Sequence, residues 1–160
     1  MTTGVLQLTR LIVRDLERSI AFYQNLLGFK ELHRMEMYDP LLDEVIMADG
    51  SGKPTLVLLT SPLVSVPSSP CWAPLVIQVP DLKAAYDEFV AAGHKIPMGP
   101  VGVGDEIGLF MVMDPDGYNI EFMPMDVTTA LSLLPEIPRG QRMLHPAPEF
   151  HGYTPTVPRG

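Results

Sequence analysis

A chain of 160 residues, 46% of them hydrophobic, is long enough to bury the core of one domain and too apolar to stay disordered. Its formal charge of -8 would repel a phosphate backbone, so nucleic acid is not expected as a partner. No apolar run approaches the roughly 18 residues of a membrane span, and Met1-Thr2-Thr3-Gly4 lacks the basic region of a signal peptide. One cysteine, Cys71, excludes an internal disulfide and suits a reducing compartment, so a cytoplasmic protein is expected.

In chain order, Val5–Val13 reads as a strand. Asp15 then caps a helix whose apolar positions are Ile20, Phe22, Tyr23, Leu26 and Leu27, and Gly28 ends it. Strands are expected at Phe29–Met37, Glu44–Ala48 and Thr55–Thr60. Asp49-Gly50-Ser51-Gly52 forms the last turn. Tyr38–Glu44, with three carboxylates but no calcium-loop spacing, reads as a solvated loop. After a Pro/Ser linker the order returns: strand Trp72–Val79, helix Asp81–Ala92, and strands near Lys95–Met98, Ile107–Met113 and Tyr118–Met123. Asp114-Pro115-Asp116-Gly117 turns between the last two.

The second half repeats the first. Leu8-Thr9-Arg10-Leu11-Ile12-Val13-Arg14-Asp15-Leu16 answers to Pro74-Leu75-Val76-Ile77-Gln78-Val79-Pro80-Asp81-Leu82, with Asp15 and Asp81 66 residues apart. Two copies of one unit packed as a single domain follow. The expected fold is α+β: two βαβββ modules (residues 1–62 and 71–125, linker 63–70) and a Pro-rich extension over residues 126–160. Six prolines in that extension exclude a long helix or a central strand, leaving Val127–Leu134 as a short helix at most. It is read as a surface-wrapping tail, a flap over the site or an arm onto a partner.

Residues 5–125 resemble the vicinal oxygen chelate superfamily, the group of glyoxalase I, extradiol dioxygenases and bleomycin resistance proteins. The resemblance rests on Val13-Arg14-Asp15-Leu16-Glu17-Arg18-Ser19, Phe22-Tyr23, Leu27-Gly28-Phe29 and Asp114-Pro115-Asp116-Gly117-Tyr118-Asn119-Ile120-Glu121. It implies a curved mixed-sheet cup that holds a small organic molecule, and a homodimer. Metal-dependent members place His, Gln or Glu ligands on inward strand positions. Here the first strand has Leu8 where a His is usual and the fifth has Pro74 where the second is usual. The fourth, Thr55–Thr60, has no His, Glu or Asp, and Glu121 alone matches. The expectation is no cofactor; a divalent metal is allowed for but not expected.

Strand alternation sends Leu11, Val13, Leu75, Ile77, Val79, Tyr118, Ile120 and Phe122 toward the helices. Leu8, Arg10, Ile12, Val76, Gln78, Asn119, Glu121 and Met123 then line the cup, with Met111 or Phe110, Trp72 and His33 as further ligand-binding candidates. Glu121 and Arg10 are the catalytic candidates. A carboxylate among apolar side chains is desolvated and suits a general acid or base, unless it simply pairs with Arg10. Arg10 would stabilise negative charge or hold an anion, or reach only the rim. His94 reads as a turn residue, and His145 and His151 lie in the tail. The expected function is metal-independent acid/base chemistry of an isomerase, epimerase, lyase or cyclase. The alternatives are a ligand-sequestering protein using Trp72, Tyr38 and Phe110, and a metal-dependent enzyme with an atypical site.

Overall fold

The structure, a computed structural model, describes residues 6–66, 71–103, 106–126, 128–129 and 150–151. The chain falls into two units: residues 1–69 with Asp114–Gly117, and residues 70–113 with 118–160.

The first unit contains β1 (Thr9–Ile12), α1 (Leu16–Leu27), β2 (Lys30–Tyr38), β3 (Leu41–Ala48) and β4 (Pro54–Thr60). Asp15 caps α1 by accepting from the Arg18 N–H, and Gly28 ends it at φ 65, a left-handed conformation that glycine adopts without strain. The sheet order is β1-β4-β3-β2, with β1 parallel to β4 and the other pairs antiparallel. Leu11, Leu56, Leu58, Val45 and Met47 are buried on one face. Ile20, Phe22 and Tyr23 are the buried apolar residues of α1, and the Tyr23 ring lies 5.9 Å from Phe29.

Two acids complete this unit from far along the sequence. The Asp116 carboxylate accepts from the Arg14 backbone N–H (3.0 Å), from Arg14 Nη1 (3.1 Å) and from the buried Ser19 hydroxyl (3.1 Å). The Tyr23 hydroxyl donates to Asp114 Oδ2 at 3.0 Å, and Asp114 Oδ1 accepts the Asp116 N–H at 2.9 Å. The most distinctive tetrapeptide of the chain thus holds the start of α1.

The second unit contains β5 (Cys71–Gln78), α2 (Leu82–Ala91), β6 (Met98–Val103), β7 (Glu106–Met113), β8 (Tyr118–Met123) and β9 (Phe150–His151), ordered β5-β8-β7-β6-β9. Asp81 caps α2 as Asp15 caps α1. The core beneath α2 is aromatic: Phe110 stacks on Phe122 at 4.9 Å, and Phe89 and Tyr86 meet these rings at 4.9–5.4 Å.

Two local expectations need correction. Tyr38–Glu44 is not a loop: β2 and β3 run through it and turn only at Asp39-Pro40, because Leu42 and Glu44 alternate with Asp43 as strand residues. The strand sought at Lys95–Met98 begins at Met98, where pairing with Met111 starts, one residue after Pro97, which has no N–H to donate. The tail contributes β9, paired antiparallel to β6 through Gly102–His151 and Val103–Phe150. The helix anticipated at Val127–Leu134 lies outside the described residues except for Thr128 and Thr129, which are helical, and His145 lies outside them altogether.

Candidate active site on the helix-free faces

Pairing registers assign each candidate to a face. In the first unit Arg10 stands opposite Val57, and Ile12 opposite Leu59. Val57 continues to Ile46 and His33, and Leu59 to Glu44 and Met35. All occupy the face opposite Leu11 and its buried neighbours. Leu8, two residues before Arg10, precedes β1 and is 36% exposed. His33 is exposed, beside a register shift in β2.

Arg10 forms an ion pair with Glu44, Nη2 to Oε2 at 3.1 Å. Glu44 was missed in the sequence because its acidic neighbours made it look solvated. The available signal was its place in the alternation Leu42, Glu44, Ile46.

In the second unit Glu121 stands between Val76 on β5 and Met111 on β7, with Asn119 and Met123 two residues either side along β8. Val76 and Gln78 are exposed, whereas Met111 and Asn119 are buried. Desolvation by these neighbours pushes the Glu121 carboxyl above its ordinary value, and it has no ion-pair or hydrogen-bond partner among the described residues. Phe110, one residue from Met111, points the other way into the aromatic core under α2, so the choice between the two for this face falls to Met111. Of the aromatics assigned to a sequestering cleft, Phe110 is fully buried and Tyr38 is 85% exposed at the β2–β3 turn. The side chains of Trp72, Pro74 and His151 lie outside the described set. His94 packs its ring 5.6 Å from Phe89.

The registers also expose an internal correspondence. Arg10 and Val76 match in the repeat, and their partners are Val57 and Glu121. Val57 is therefore the first unit's counterpart of Glu121, and Thr55 that of Asn119. Thr55 Oγ1 and Asn119 Oδ1 are the buried side-chain polar atoms without a hydrogen-bond partner among the described residues. Such atoms are expensive in a core and common where a fold reserves a place for ligand or water.

Two units of strand, helix and at least three further strands define a glyoxalase-like α+β fold. Residues 5–122 match the Glyoxalase/Bleomycin resistance protein/Dioxygenase superfamily, and the chain belongs to it. A lactoylglutathione lyase of Haemophilus influenzae is 34% identical over 120 residues, 72% of this chain and 88% of that protein. One from Neisseria meningitidis is 31% identical with 72% and 86% covered. Among solved structures, the trypanothione-dependent glyoxalase I of Leishmania major superposes with a TM-score of 0.62 at 25% identity, covering 81% of this chain and 91% of that one. The fosfomycin resistance protein FosX of Listeria monocytogenes, solved with Mn(II) and sulfate, shares the fold at a TM-score of 0.55 and 18% identity, covering 82% and 99%.

These relatives correct the expectation of a chain without cofactor: the chain is similar to lactoylglutathione lyases and to a glyoxalase I, and the FosX structure holds Mn(II). Leu8 and Val57 offer no donor atom, and no three His, Cys, Asp or Glu side chains converge among the described residues. Glu121 offers one carboxylate on the helix-free face of the second sheet, and a single carboxylate does not complete a site for a divalent metal. Among the described residues no helix is long and apolar enough to cross a membrane.

Proposed function

We propose that this chain is an enzyme of the superfamily that moves a proton on a small organic substrate, with Glu121 as the general acid/base. One observation carries the reading: a carboxyl without a partner among the described residues, raised by burial, on the helix-free face of the second sheet. A carboxylate with an elevated pKa takes a proton from a carbon beside a carbonyl more readily than an ordinary one. As the conjugate acid it returns that proton to the neighbouring atom, an isomerase- or lyase-type reaction. Asn119, two residues away and with an Oδ1 that has no partner among the described residues, supports orienting a donor group of the substrate.

The curated relatives make the hemithioacetal of a 2-oxoaldehyde and a thiol the first substrate to offer. Turnover is measured with methylglyoxal and glutathione, with and without added Mn²⁺, Ni²⁺ or Zn²⁺. Glu121→Gln is expected to lower kcat by about 10²-fold or more, the usual contribution of a positioned acid/base. Undiminished turnover in a folded Glu121→Gln protein removes Glu121 from the mechanism. A homodimer and a cytoplasmic location complete the reading. The nine-residue edge strand β2, exposed along nearly its whole length, supports the dimer, which light scattering tests.

A further inference from the structure

Arg10 and Glu44 do not sit on neighbouring strands. Arg10 is on β1 and Glu44 on β3, with β4 between them, yet their charged ends meet at 3.1 Å. The pair therefore bridges above β4, over Val57 and Leu59, which are buried on that face. The aliphatic stem of Arg10 supplies cover of this kind while its head stays wet. The Glu44 side chain is only 8% exposed and that of Arg10 56%. One carboxylate fixes the guanidinium from the protein side and its other side faces solvent. Arg10 has no other ion-pair or hydrogen-bond partner among the described residues. A guanidinium carries five N–H donors in a planar fork, so one contact at Nη2 leaves most of them unused.

A pair of this kind contributes little to stability, because exposure screens one partner and burial taxes the other. Its effect is to hold a cation in one pose on a largely apolar strip whose other polar members are His33 and Thr55. Leu8, Ile12, Met35 and Ile46 share the face. A compact, strongly hydrated anion gives up too much water to settle there, whereas a carboxylate on a hydrocarbon or aromatic body satisfies both the fork and the strip.

We propose that Arg10, held in place by Glu44, is the recognition site for an organic carboxylate whose apolar body rests on the strip along β1 and β4. The site belongs to the first unit and is independent of the acid/base reading of Glu121.

The test is binding of benzoate, benzamide and inorganic phosphate to the full chain by titration calorimetry or ligand-observed NMR. The wild-type protein is expected to bind benzoate at least tenfold tighter than benzamide and tenfold tighter than phosphate. Arg10→Gln lowers the melting temperature, because the buried Glu44 carboxylate loses its countercharge, and in the folded variant the benzoate-to-benzamide ratio falls close to one. Arg10→Lys, which keeps the charge and loses the fork, retains part of it. Glu121→Gln leaves the ratio unchanged, so this proposal and the acid/base reading fail separately. A ratio near one in the wild type, an unchanged ratio in Arg10→Gln, a collapse in Glu121→Gln, or phosphate binding tighter than benzoate would each overturn the proposal.

Discussion

Replacing Asp116 with alanine tests whether the Asp-Pro-Asp-Gly turn is a structural clasp. The buried Ser19 hydroxyl loses its acceptor, a cost of about 1–3 kcal/mol for a donor left unsatisfied away from water. The Arg14 backbone N–H loses a second contact of about 1 kcal/mol. The Arg14 guanidinium, more than half exposed, can turn to water, so its ion pair adds no more than about 1 kcal/mol. The sum is about 2–5 kcal/mol. At about 2–4 °C per kcal/mol for a chain of this size, the melting temperature falls by about 4–20 °C. Asp116→Asn keeps an acceptor for the Arg14 N–H and places an amide against a hydroxyl that can rotate to meet it, so it costs about 1 kcal/mol. Urea unfolding of the three proteins by circular dichroism measures these differences. An alanine variant within about 0.5 kcal/mol of wild type, or no less stable than the asparagine variant, refutes the clasp.

The elevated pKa of Glu121 gives a signed pH effect. Folding raises its pKa, so the native state binds the extra proton. The resulting stability is present at acid pH and disappears as pH climbs from the unfolded value of about 4.5 through the higher folded one. Glu121→Gln is therefore expected to gain stability relative to wild type between pH 4 and 7, as read from melting curves across that range; a pH-independent difference contradicts the desolvated environment. If Glu121 is the base, the acidic limb of kcat/KM also falls above pH 4.5. Gly99→Ala is expected to cost about 1–3 kcal/mol, because the added Cβ would meet Phe110 Cβ at 2.8 Å, where that side chain is locked against Phe122. Gly50→Ala, with open space around it, provides the neutral comparison in the same denaturation series.

Much of the fold is written in local signals that tertiary structure does not override. Asp15 and Asp81 are caps with side-chain acceptors three residues before their donors, Gly28 is a left-handed terminator, and the alternation in Leu75–Val79 and Tyr118–Phe122 separates the two faces. The errors arose where one residue has two physical readings. Glu44 reads as solvated by type, yet its register puts it beside Leu59, and only a partner two strands away accounts for its burial. Phe110 and Met111 are both apolar, so composition could not choose between them; the ladder to Phe122 and Glu121 does. The pairing of β9 with β6 joins segments separated by nearly fifty residues of chain, and no local pattern announces it. For Glu121 the sequence supplied the position, while the rise in its pKa depends on which neighbours the register brings alongside.

The clasp has a consequence for dividing the gene. The linker at residues 63–70 looks like the natural place to cut the protein into two independent halves. Yet the first half reaches its full set of hydrogen bonds only with Asp114 and Asp116, which would be encoded on the other fragment. A fragment ending in the linker would leave the hydroxyls of Ser19 and Tyr23 without these acceptors. Reconstitution would depend on a strand–turn–strand peptide supplied in trans, making the turn between β7 and β8 the complementing piece of a split protein.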